Sequence, residues 1–144
     1  MNGKALTTKN TFSRQTSVSV DIAASAEKVW AILTDAPRYT KWNSTIVSID
    51  GEIAPGKTIK LVSTLDPKRI FKLRVKVFEP ASKLVWGDPM GARTYQLTPN
   101  RNGVTLTMTE RIGGPIFPLF ASKIPSFDQS FDIFVANIKK EAER

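Results

Sequence analysis

Apolar Phe12, Val18, Val20 and Ile22 alternate with polar Ser13, Gln15, Ser17, Ser19 and Asp21, which predicts a half-buried strand over 12–22. The period then lengthens. Ala26, Val29, Trp30 and Leu33 fall on one helical face, Ser25 is placed to cap the first turn, Glu27 lies in that turn, and Asp35 and Pro37 close the segment. The stretch 37–42 predicts a second short helix or turn with proline in its first turn. Strand-like runs follow at 46–50, 58–65, 69–78, 83–88, 92–98 and 103–112, separated by Gly, Pro, Asp and Asn. In the third of these, Phe71, Leu73, Val75 and Val77 alternate with Lys72, Arg74 and Lys76, so one face is expected to be dry and the other cationic. Helical spacing returns at Ile124, Phe127, Phe131, Phe134, Val135 and Ile138. Pro125 either begins this helix or kinks a longer one started near Pro115.

One strand, two short helices, six strands and one long helix predict an α+β domain: a curved seven-stranded antiparallel sheet packed on the C-terminal helix. The gap between sheet and helix is a natural pocket. The expected organisation is a flexible segment over 1–11 and one domain over 12–144.

The 144-residue chain has neither cysteine nor histidine. That excludes thiolate nucleophiles, disulfides, Cys/His zinc sites and imidazole-dependent triads. No cofactor and no metal are therefore expected. A net charge of +8, from 21 Lys and Arg against 13 Asp and Glu, permits attraction to anions without selecting one. Lys72, Arg74 and Lys76, with Lys60 and Lys68, are the candidate headgroup or phosphate contacts. A solvated strand face is the plainer account, leaving at most weak contact with an anionic membrane surface. No nucleic-acid motif accompanies the charge, so specific nucleic-acid binding is not expected. With no apolar run near ~18 residues and no signal-like start, the expectation is a cytoplasmic monomer or homodimer without a transmembrane segment.

Several motifs now combine: ASAEKVWAILTD from Ala24 to Asp35, Y-x-x-W-N from Tyr39 to Asn43, P-x-x-x-L-x-W from Pro80 to Trp86, Y-x-L-x-P from Tyr95 to Pro99, and P-x-F-x-x-x-F-x-x-F-x-x-x-I-K from Pro125 to Lys139. In this order they resemble the polyketide cyclase/dehydrase and START-related superfamily. The resemblance implies a helix-grip fold with a hydrophobic cavity for lipids, polyketides or other small apolar molecules; it implies no single reaction. Ser44 departs from the pattern, standing where relatives often carry proline after W-N.

A tight hairpin turn over 100–103 would set Leu97 opposite Leu106, Tyr95 opposite Met108 and Arg93 opposite Glu110. The two charges would then share the apolar face. Either they orient a ligand's polar end, with Glu110 and Arg93 the candidate catalytic pair of a cyclase or dehydratase, or they form an ion pair at the rim. Trp42 and Trp86 are candidate ligand walls, as are Tyr95, Met108 and Phe127. Phe117 and Phe120 belong to an irregular segment between Gly113-Gly114 and Pro125, a candidate mouth. The function expected is binding of a small apolar molecule, with the enzyme and a basic surface module as alternatives.

Overall fold

A computed structural model describes residues 2–144. Strands β1 (Leu6–Lys9) and β2 (Ser13–Ile22) lead into helix α1 (Ala26–Leu33). A 3₁₀ turn, Ala36–Arg38, runs into the short helix α2 (Tyr39–Trp42). Six strands follow: β3 (Ile46–Asp50), β4 (Thr58–Ser63), β5 (Phe71–Glu79), β6 (Lys83–Asp88), β7 (Gly91–Asn100) and β8 (Gly103–Gly113). Two 3₁₀ turns, Phe117–Leu119 and Ala121–Lys123, then precede helix α3 (Asp128–Ala142). The sheet order is β1-β2-β8-β7-β6-β5-β4-β3, with every neighbouring pair antiparallel.

The sheet thus has eight strands rather than the expected seven. The extra strand lies inside the segment 1–11 read as flexible, where the sequence LTTK shows no alternation. Side chains of α3 explain its order: the Ala5 N–H donates to Asp132 Oδ1 (2.7 Å) and Thr7 Oγ1 to Asp128 Oδ1 (2.5 Å). Backbone pairing to β2 then completes a strap that no local pattern specifies.

Helix α1 is built as its spacing predicts. Ser25 Oγ accepts the Lys28 N–H at 3.1 Å, and Ala26, Val29, Trp30 and Leu33 are buried. Helix α3 begins at Asp128, so Pro125 neither starts nor kinks it. Ser126 Oγ accepts the Asp128 N–H instead (3.2 Å). Phe131, Phe134, Val135 and Ile138 form the buried stripe that α3 lays on the sheet.

The period-two reading of β5 fails near its end. The register shifts between Val75, opposite Trp86, and Val77, opposite Val85, leaving Lys76 as an extra residue. The bulge turns Phe78 rather than Val77 toward the core, where its ring meets Trp30 edge-on at 5.1 Å. Lys72, Arg74 and Lys76 are exposed.

Candidate functional site

The site grows out of the β7–β8 hairpin. Asn100 Oδ1 accepts the Asn102 N–H (2.9 Å) in the turn, and Asn100 pairs with Gly103. From there the register runs as expected: Leu97 opposite Leu106, Tyr95 opposite Met108, Arg93 opposite Glu110. The first two pairs are buried; the third lies where the strands leave the core and enter a cavity of about 240 Å³. Alternation therefore delivers this charged pair to a wall that includes Leu61, Phe71, Leu73, Trp86 and Ile112, while Asp66, Arg69, Asp88 and Lys123 also line the cavity.

Arg93 Nε donates to Glu110 Oε1 at 2.6 Å, and the two side chains are 23% and 19% exposed. The pair is neither dry nor a surface ion pair. The Arg93 guanidinium also lies over the Phe131 ring, 5.0 Å from its centroid. Burial alone would lower the Arg93 pKa, but Glu110 and Tyr95 outweigh it and hold the pKa above the usual arginine value. Burial raises the Tyr95 hydroxyl in turn, with Arg93 opposing. The site therefore contains a fixed guanidinium, a carboxylate that it orients, and a neutral phenol behind them.

A second cation holds the segment that forms the other side. Arg14 is only 7% exposed and donates through Nη1 to the Ile124 carbonyl (3.1 Å) and through Nη2 to that of Pro125 (2.8 Å). Its guanidinium stacks on Phe127 (4.7 Å to the centroid), and Phe127 lies parallel to Phe131 at 6.1 Å. Burial pulls the Arg14 pKa below its ordinary value, against opposing attraction from Glu110 and Asp128. Arg14 thus pins the irregular 114–127 segment beside the cavity, and that segment contributes Phe120, Lys123, Ile124, Pro125 and Phe127 to the lining.

Of the residues singled out from sequence, Trp86, Arg93, Glu110, Phe120 and Phe127 meet at this cavity. Tyr95 and Met108 do not line it; they belong to the core beneath, where Tyr95 packs on Trp86 and Phe134. Trp42 is also core, against Tyr39 and Phe134, and its indole Nε1 is the one buried side-chain polar atom without a hydrogen-bond partner among the described residues. Phe117 is buried on the far side of the 114–127 segment, in a separate polar cleft of about 380 Å³ that it shares with Lys9, Asn10, Arg14 and Ser122. Sequence reasoning missed Arg14, which holds the 114–127 segment, and the lining residues Met90, Ile112 and, on the β4–β5 loop, Leu65, Asp66 and Arg69. Ile112 follows Glu110 by two on β8 and could have been counted onto the same face. Arg14 and the loop residues carry no such signal. Gly87 and Gly91 line the cavity where β6 turns into β7; a Cβ on Gly87 would stand 2.3 Å from the Gly91 carbonyl oxygen, so this corner tolerates no side chain.

Ser44 is explained by its contacts. Its N–H and its hydroxyl both donate to Asn137 Oδ1, each at 2.9 Å, joining the end of α2 to α3. A proline there would supply neither donor.

A sheet packed on one long C-terminal helix defines a helix-grip protein; its cavity lies between the strands and the 114–127 segment that leads into α3, and α3 itself contributes only Ser130 to the lining, not the whole inner face that the sequence predicts. The chain belongs to the polyketide cyclase/dehydrase and lipid transport family, whose model matches residues 13–143. No curated protein sequence matches it. Among solved structures it is similar to EF2215 of Enterococcus faecalis (TM-score 0.71, 15% identity, 97% of this chain and 77% of that one). It is similar to MLL2253 of Mesorhizobium loti as well (TM-score 0.68, 21% identity, 88% and 95%). DynU16, from the dynemicin biosynthetic locus, also matches (TM-score 0.66, 20% identity); the alignment covers 88% of this chain and 46% of that longer one. At these identities the likeness shows the fold alone. No helix among the described residues is long and apolar enough to cross a membrane.

Proposed function

We propose that the protein binds a small, mostly apolar molecule, whether a lipid fragment, a polyketide or another metabolite, between the sheet and the 114–127 segment at the start of α3. The observation that carries this reading is the placement of a single ion pair, Arg93–Glu110, on the wall of a mainly apolar cavity. Such a site buries an apolar body and fixes one polar end. The volume of about 240 Å³ lies just below the roughly 300–1,000 Å³ of common ligand sites, which suits a compact occupant. A ligand carbonyl or carboxylate would face Arg93, and a hydroxyl would face Glu110. The family description, which pairs cyclase/dehydrase chemistry with lipid transport, accommodates a carrier and an enzyme alike.

The exposure of Glu110 to the cavity favours a second reading, a cofactor-independent cyclase or dehydratase with Glu110 as base and Arg93 polarising a carbonyl. The primary test is shared. Native mass spectrometry of freshly purified protein should show a co-purifying apolar molecule, and a hydrophobic fluorescent probe should bind the folded state one to one and be displaced by it. Probe binding confined to partly unfolded protein would end the cavity reading.

A further inference from the structure

Eight large apolar side chains are conspicuously exposed among the described residues, and four of them occupy two segments beside the cavity. Leu65 and Ile70 lie on the β4–β5 loop, whose Leu65, Asp66 and Arg69 line the opening; Ile116 and Leu119 lie on the 114–127 segment, whose Phe120 and Lys123 line it from the other side. Leu119 is 80% exposed, the most of the eight. A fifth, Phe12, sits beside Gly114, whose N–H donates to the Phe12 carbonyl at 3.0 Å. Single exposed leucines need no explanation, but four exposed aliphatic side chains on the two segments that both line one opening do. Between them stand Lys68, Arg69 and Lys123, against Asp66 as the only acid on the same two segments.

We propose that this rim is an interfacial surface that seats on an anionic phospholipid bilayer. Leu119, Ile116 and Ile70 would enter the acyl boundary while Lys68, Arg69 and Lys123 meet the headgroups. The cations favour an anionic bilayer over a neutral one, and the protruding aliphatic tips favour a bilayer over a nucleic acid, which offers them nothing to enter. The seat faces the cavity opening toward the apolar phase. Because docking uses the exposed tips and cations of the rim and not the cavity's interior, it stands or falls separately from the identity of any ligand.

The test is co-flotation of the full chain with phosphatidylcholine vesicles, with and without a phosphatidylglycerol fraction. We expect partition onto the anionic vesicles only, weakened by salt. Leu119→Asp should abolish it while leaving the thermal melt unchanged, since the side chain is exposed. Replacing Lys68, Arg69 and Lys123 by Gln should weaken it roughly fivefold per cation. Charge reversal of Lys72, Arg74 and Lys76 on the sheet's outer face serves as the control and should change it less than twofold. Absence of partition overturns the proposal. So does a sheet-face variant that weakens binding as much as the rim variant, which would assign the effect to net charge. A dimer that Leu119→Asp converts to monomer, without vesicle binding by the parent, would assign the rim to a second copy of the chain and overturn it as well.

Discussion

At the residue scale, Glu110 and Arg14 shape the cavity in different ways. Glu110 is held at 2.6 Å by Arg93 in a partly wet site, so removing its charge should cost an intermediate amount. Exposed pairs contribute roughly 0–1 kcal/mol and breaking a buried pair costs roughly 3–5, which places Glu110→Gln at about 2 kcal/mol by chemical denaturation. Stability reports only burial. If the site is catalytic, turnover of a substrate found by the ligand search should fall about 10²-fold or more in this variant with little change in affinity. Unchanged turnover would remove Glu110 as the base. Arg14 acts differently. It touches no cavity-facing acid, yet through two carbonyls and Phe127 it fixes the segment that forms one side of the opening.

Elements were legible from the sequence in proportion to how far their own residues determine them. The β7–β8 register follows from a short turn flanked by alternating residues, which is enough to set Arg93 against Glu110. Strand β1 was not legible, because its order comes from Asp128 and Asp132 more than a hundred residues away. The β5 bulge was hidden because Val77 and Phe78 are both apolar, and only packing against Trp30 selects between them. The 114–127 segment offered prolines and glycines but no period, so its side of the cavity could be named only as a mouth. Helix α3 and that segment nevertheless divide as their burial requires. Phe131 is fully buried on the helix, and Phe131→Ala should destabilise by roughly 3–5 kcal/mol. Phe120 packs edge-on against Phe117 (5.9 Å) and lines the cavity, so Phe120→Ala should weaken probe binding more than folding. Equal effects of both changes on both properties, measured by denaturation and probe titration, would erase the distinction between core and mouth.

Over the whole molecule, the absence of histidine removes the side chain whose ordinary pKa falls between pH 5 and 8, so pH sensitivity is pushed toward the extremes. On the acid side, the N–H of Ala23 and then Lys139 lower the pKa of Glu143, which ties the end of α3 to the sheet; that contribution is present above the ordinary carboxylate range and is lost as the pH falls. On the alkaline side two buried phenols dominate. Burial raises Tyr39 well above the usual tyrosine value, reinforced by Tyr95 and opposed by Arg93, and its hydroxyl donates to the Leu33 carbonyl at the end of α1. Burial raises Tyr95 in the same way. The unfolded chain gives up these protons near pH 10 while the folded chain keeps them, so above about pH 10 the unfolded state binds fewer protons and stability falls as pH rises. The melting temperature should therefore drop between about pH 9 and 11, more steeply than in a Tyr39→Phe/Tyr95→Phe variant. That variant should be less stable at neutral pH, where the Tyr39 hydrogen bond is missing, yet flatter with alkali. Parallel melting curves for the two proteins across this range would show that the phenols do not set the alkaline limit.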